Sequence, residues 1–125
     1  MEINLPDVVE EVTRAFGCYE AALTGNDVET LDALFWGGPH VVRYGVTENL
    51  HGEDEMRAFR KARPSRGLDR TLHDTVITTF GRDFATANTR FSRTGADRTG
   101  RQSHAWARLP EGWRIVAAHV SFMED

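Results

Sequence analysis

Apolar residues recur early in the chain at Val8, Val9, Val12, Ala15, Phe16, Tyr19, Ala22 and Leu23. Spacings of three and four put them on one face of a helix. Pro6 near its start and Gly25 after its end supply the usual punctuation. A shorter helix follows, with Asn26 or Asp27 as its cap and Val28, Leu31, Leu34 and Phe35 as its buried stripe. Trp36-Gly37-Gly38-Pro39 then breaks it. His40 to Tyr44 has strand composition, Gly45 marks a turn, and Thr47 to Leu50 forms a short second run. Glu53-Asp54-Glu55 suits the positive start of a third helix, which carries Met56, Phe59 and Ala62 inward and stops before Pro64.

From Leu68 onward the period changes from helical to two. Thr71 to Phe80, Phe84 to Arg93, Arg101 to Leu109 and Trp113 to Ser121 read as strands. Gly81-Arg82-Asp83, the Gly95-to-Gly100 stretch and Pro110-Glu111-Gly112 separate them. Helices first and long strands afterwards predict an α+β fold, with the helices on one face of a curved antiparallel sheet.

The length of 125 residues sets one domain over 1–125. No apolar run reaches the ~20 residues that a membrane helix needs. The first residues, Met1 to Asp7, lack the regions of a secretory signal, so a cytoplasmic location is expected. A net charge of -4 argues against a nucleic-acid module, which usually carries a basic footprint. One cysteine, Cys18, excludes an internal disulfide, a CxxC pair and a cysteine-rich zinc site. Every basic residue except Lys61 is an arginine. That bias either follows base composition or equips the chain with planar paired donors for a small acid.

Candidate chemistry concentrates on a few polar residues. The last strand alternates Trp113, Ile115, Ala117, His119 and Ser121 against Arg114, Val116, Ala118 and Val120, so a regular strand places His119 and Ser121 on the face of Trp113. There they either line a ligand cavity or sit in the core. Both faces are largely apolar, which asks for cover from a second subunit on one side. In the preceding strand Gln102 and His104 share a face with Trp106, either toward the same cavity or toward solvent. Arg43 lies in an apolar strand and needs an anion, either an internal acid (Asp32, Glu48 or Glu20) or a substrate carboxylate. Tyr19, on the apolar face of the first helix, has a phenol that can donate a proton or stabilise an oxyanion. Trp36, at the end of the second helix, completes the candidate substrate-binding set. The five histidines show no metal-ligand spacing, so neither a metal nor another cofactor is expected. No nucleophile elbow or phosphate loop appears, and the adjacent Ser103 and His104 point to opposite faces.

Taken together, Tyr19-Glu20-Ala21-Ala22-Leu23, Leu31 to Trp36 and the terminal Gly112 to Ser121 resemble the SnoaL-like part of the NTF2-like superfamily. More narrowly, Val42-Arg43-Tyr44-Gly45, Glu48 to Gly52, Arg57-Ala58-Phe59-Arg60, Arg63-Pro64 and Thr79 to Thr86 are similar to the AtzH-like group, which includes the proteins named for oxalurate catabolism. The likeness covers nearly the whole chain. It implies a cone-shaped α+β fold, three helices on a curved sheet enclosing a pocket, and a dimer across the sheet. It also implies a link to small ureido acids, through decarboxylating amidohydrolases or through proteins that sit beside an amidase. Tyr19 and Arg43 match the pocket tyrosine and arginine. His104 stands where the group often carries a second glutamine, so no role passes to it.

The expected function is therefore that of a small enzyme of ureido-acid breakdown. Arg43 pairs with the substrate carboxylate, Tyr19 acts as proton donor, and Trp36, Gln102, His104, His119 and Ser121 shape the pocket. A rival reading is a non-catalytic accessory or ligand-binding protein working with an amidase, since the sequence offers no nucleophile–base pair. A third is a proton-shuffling isomerase, for which Asp32 is the available carboxylate.

Overall fold

Helix α1 spans Pro6–Thr24 and buries Val8, Val12, Phe16, Tyr19, Ala22 and Leu23, the stripe the spacing predicts. Helix α2, Val28–Leu34, is capped by Asp27, whose carboxylate accepts from the Thr30 backbone N–H at 3.1 Å. Helix α3, Glu53–Ala62, opens on three acids and ends two residues before Pro64. Its buried side is Met56 and Arg60, while Ala62 is exposed. The expectation that Ala62 turns inward is thus corrected, because the helix ends at the rim of the core and Arg60, four residues after Met56, takes the inner position. The computed structural model describes residues 1–65 and 67–124.

Six strands form one curved, open sheet: β1 (Val42–Tyr44), β2 (Asn49–His51), β3 (Thr71–Phe80), β4 (Phe84–Ser92), β5 (Gly100–Leu109) and β6 (Gly112–Phe122). Their order is β2-β1-β6-β5-β4-β3. The long strands lie within a residue or two of the predicted bounds. The sheet is mixed, however, because β1 runs parallel to β6 while its other neighbours pair antiparallel. The reason lies just upstream of β1: Phe35 bridges Ile115 in parallel register and the Trp36 N–H donates to the Ile115 carbonyl at 2.9 Å. That anchor sets the direction in which the chain enters β1.

Two irregularities bend the sheet. One lies in β3 between His73 and Val76, where Asp74 takes a left-handed φ of 53°. The other lies in β6, where Trp106 pairs with Ile115 but Ala105 pairs with Ala117, leaving Val116 as the extra residue of a bulge. Trp106 and Ile115 are fully buried beneath the helices, together with Ala85, Ala87 and Val12. No helix among the described residues is long and apolar enough to cross a membrane.

Candidate functional site

The fourth turn of α1 turns Tyr19 into the concave side of the sheet, where only 3% of its surface remains exposed. Its ring meets the His104 imidazole at right angles, with centroids 4.6 Å apart. Phe16 and Phe35 complete the surround, and Trp106 closes it from the sheet. Period-two alternation in β5 puts Gln102, His104 and Trp106 together on this inner face, all buried, which resolves the face the sequence left open. Neither nitrogen of His104 has a hydrogen-bond partner among the described residues. Burial, reinforced by the cationic Arg70 and Arg43, pushes its pKa down to about 3, so the ring is neutral.

Around this aromatic floor stand arginines. Arg43 donates from Nη1 to Glu48 Oε1 at 2.7 Å and lies 5.5 Å from the Phe59 ring centroid. Of the three acids that the sequence offered it, Glu48 is the partner. Burial raises the Glu48 carboxyl, but hydrogen bonds from Thr47 and Arg43 outweigh it and hold it below its usual range. Asp32 is taken by Arg60, a tight ion pair whose guanidinium also stacks 4.5 Å over Phe35. Glu20 is taken by Arg70, which donates to both carboxylate oxygens at 2.8 and 2.6 Å and to Gln102 Oε1 at 3.0 Å. Asp32 is therefore not the isolated carboxylate that a proton-shuffling isomerase needs.

Tyr19, Phe35, Arg43, Phe59, Arg60 and Arg63 surround an inner cavity of about 10 Å³, room for roughly one water. Arg60, Arg63 and Arg93 all lie within electrostatic range of the Tyr19 phenol. Burial holds these three guanidinium groups below the ordinary arginine pKa, and in each case a neighbouring arginine adds to the effect. The arrangement can grip a planar anion and present it to a buried phenol. Among the described residues, no three His, Cys, Asp or Glu side chains gather as metal ligands would.

Three expected pocket residues lie elsewhere. His119 is exposed on the outer face of the sheet, 6.2 Å ring to ring from Tyr44 and beside Ser103 and Ala117. Ser121, opposite Arg101, lies on that outer face too. The correction follows from the Val116 bulge. It breaks the alternation, so that Trp113 and Ile115 point inward before it and Ala118 and Val120 after it. Trp36 is half-buried against His40 and does not line the inner cavity. The sequence reading in turn passed over Arg60, Arg63, Arg70 and Arg93. A signal existed for Arg60, which occupies the stripe position four residues after Met56. The other three flank elements, and no local pattern marks them.

The family model for AtzH-like proteins matches residues 1–125. The structure superimposes on that of a protein of unknown function from Pectobacterium atrosepticum with a TM-score of 0.97, at 61% identity over 98% of this chain and 95% of that one. A cystatin-like fold protein from Burkholderia xenovorans matches with a TM-score of 0.96, at 50% identity over 100% and 98% of the two chains. More distantly, a nuclear transport factor 2 (NTF2-like) superfamily protein from Salmonella enterica matches with a TM-score of 0.73, at 25% identity over 95% and 93%. No curated protein matches the chain. With its full length matched by the family model and more than half its residues shared with a solved relative, the chain belongs to the AtzH-like family.

Proposed function

We propose that the protein is an enzyme acting on a small ureido carboxylate of the carboxylated-urea kind, by decarboxylating C–N cleavage; oxalurate, whose carboxylate is on carbon, would instead have its C–N bond hydrolysed by water. The observation that carries this reading is the buried Tyr19 phenol facing a cavity walled by Arg43, Arg60 and Arg63. Arg43 uses one nitrogen on Glu48, and its remaining donors hold the substrate carboxylate. In the step itself the C–N bond of an N-carboxylate breaks, and its electron pair stays on nitrogen. Nitrogen takes the Tyr19 proton and CO2 leaves. Arg60 and Arg63 stabilise the phenolate until solvent reprotonates it. N-carboxylates lose CO2 readily, so orientation and a proton suffice without a nucleophile. Because the cavity holds about one water, Phe59 or the Arg43–Glu48 pair must give way as the ligand enters.

The test is release of CO2 and urea from freshly prepared carboxylated urea, with C–N hydrolysis of oxalurate followed separately. Tyr19→Phe should abolish turnover while retaining binding, and Arg43→Lys should weaken binding. Wild-type protein that neither binds nor turns over any ureido carboxylate ends the reading. Binding without turnover supports the second reading, an accessory protein beside an amidase. That reading is favoured by one observation: the Ser–His hydrogen bond between His73 and Ser92, at 2.9 Å, lies on exposed surface away from the cavity. In either case two chains are proposed to pair across the outer sheet face, where Tyr44, Ala105, Ala117 and His119 line a shallow groove.

A further inference from the structure

We propose that Arg63 and Arg93 form a second anion site, in an open groove beyond Phe59 from Tyr19, and that it takes a carboxylate-type oxyanion. The groove has a volume of about 330 Å³ and is bordered by Arg43, Phe59, Arg63, Leu68, Arg93 and Phe122. Its two cations come from separate elements: Arg63 caps the end of α3 and Arg93 follows β4.

What singles them out is unspent hydrogen-bonding capacity. Arg63 Nε and Nη2 and Arg93 Nε are buried and have no hydrogen-bond partner among the described residues. Their flat faces are occupied, since Arg63 lies 6.0 Å from the Phe59 ring centroid and Arg93 5.4 Å from that of Phe91. Arg93 also donates from Nη1 to the Gly67 carbonyl. The stacking fixes each guanidinium plane, and the unpaired N–H groups are shut off from solvent, so a ligand must displace the groove wall to reach them. A buried donor left unmade is costly, and a buried unpaired charge more so.

Charge makes the same point. The carboxylate of the groove is Glu48, and it is committed to Arg43 and to Thr47. Among the described residues that border the groove, Arg43, Arg63 and Arg93 share the one carboxylate of Glu48, with Glu20, already paired to Arg70, acting on Arg93 from outside it. Arg63 and Arg93 lie within electrostatic range of each other, and desolvation lowers the pKa of both. A planar oxyanion matches the guanidinium fork better than a spherical ion does. Arg43, Phe59 and Arg63 border both the groove and the Tyr19 cavity, and Arg93 borders the groove alone. A carboxylate in the groove is thus either a free ion or the second carboxylate of a ligand whose first group lies at Arg43.

The site stands apart from the ureido reading, because its test measures binding of simple carboxylates and needs no turnover. Titration calorimetry with malonate and with acetate is performed on wild type, Arg63→Gln, Arg93→Gln and Arg63→Lys, with melting temperature recorded for each. Each Gln variant should lose roughly tenfold to hundredfold in malonate affinity. Arg63→Gln should not lower the melting temperature, since no hydrogen bond of its side chain is lost, and a structural role would lower it; Arg93→Gln gives up the bond to the Gly67 carbonyl, so its affinity is compared on the folded fraction. Arg63→Lys, which keeps the charge without the fork, should also bind more weakly. A loss that is non-additive between Arg63→Gln and Arg43→Lys shows one dicarboxylate spanning both points. Additive losses, with acetate affected equally, show a separate carboxylate. Wild-type protein that binds neither ion, or variants that bind malonate as wild type does, overturn the proposal.

Discussion

At neutral pH the His104 imidazole sits uncharged among Phe16, Tyr19, Phe35 and Trp106, with the Arg70 and Arg43 cations disfavouring its protonation further. Its pKa is about 3 in the fold against 6.5 for the free side chain. Between those two values the unfolded chain binds a proton that the folded protein refuses. Stability attributable to this residue therefore falls as pH drops below 6.5, by about 1.4 kcal/mol per pH unit. At about pH 4.5 the loss is about 3 kcal/mol, a large share of the 5–15 kcal/mol that holds a typical domain. Carboxylates with lowered pKa, Glu48 among them, add to the acid sensitivity, because stability they supply above their unfolded pKa is lost as pH falls through the folded one. The His104 share is isolated by comparison with variants that cannot titrate. Urea denaturation of wild type, His104→Gln and His104→Leu is measured from about pH 7 to about pH 4.5. Each variant can differ from wild type at neutral pH through packing, so the slopes carry the result. Wild type should lose about 3 kcal/mol more than either variant over this range. Parallel curves for all three proteins would refute the neutral, desolvated imidazole and the aromatic cage reasoning with it.

Asp32→Ala leaves Arg60 buried without its anion and should cost about 3–5 kcal/mol in urea denaturation, so a loss under 1 kcal/mol would show the pair to be solvated. A Cβ on Gly100 would collide with the Phe91 ring, and Phe91 is fully buried. Gly100→Ala should therefore lower stability by about 1–3 kcal/mol. Gly17 is the contrasting case, an exposed position in α1 with open space where the Cβ would go. There Gly17→Ala should raise stability by about 0.5–1 kcal/mol, read by thermal melting. Sedimentation at micromolar concentration should give a dimer, and charge at Ala117 on the outer face (Ala117→Glu) should dissociate it; a 14.1 kDa monomer in wild type would end that expectation.

The sequence by itself determined the elements. Helix α1 and its inward Tyr19 follow from spacings of three and four, and the four long strands follow from alternation and turn residues, because both signals are carried by neighbours in the chain. That Gln102 and His104 share a side with Trp106 was also a local matter, whereas only the packed sheet shows that this side faces inward. Tertiary structure decided the rest. The Val116 bulge exists only in relation to β5, so the strand's own alternation placed His119 and Ser121 on the wrong face. The parallel run of β1 beside β6 depends on Trp36 meeting Ile115, 79 positions apart in the sequence. An arginine side chain is long enough to reach several acids, and only the packed fold assigns Glu48 to Arg43, Asp32 to Arg60 and Glu20 to Arg70. Among the described residues those three pairings leave Arg63 and Arg93 without an ion-paired acid, which no count along the chain reveals in a protein whose net charge is -4.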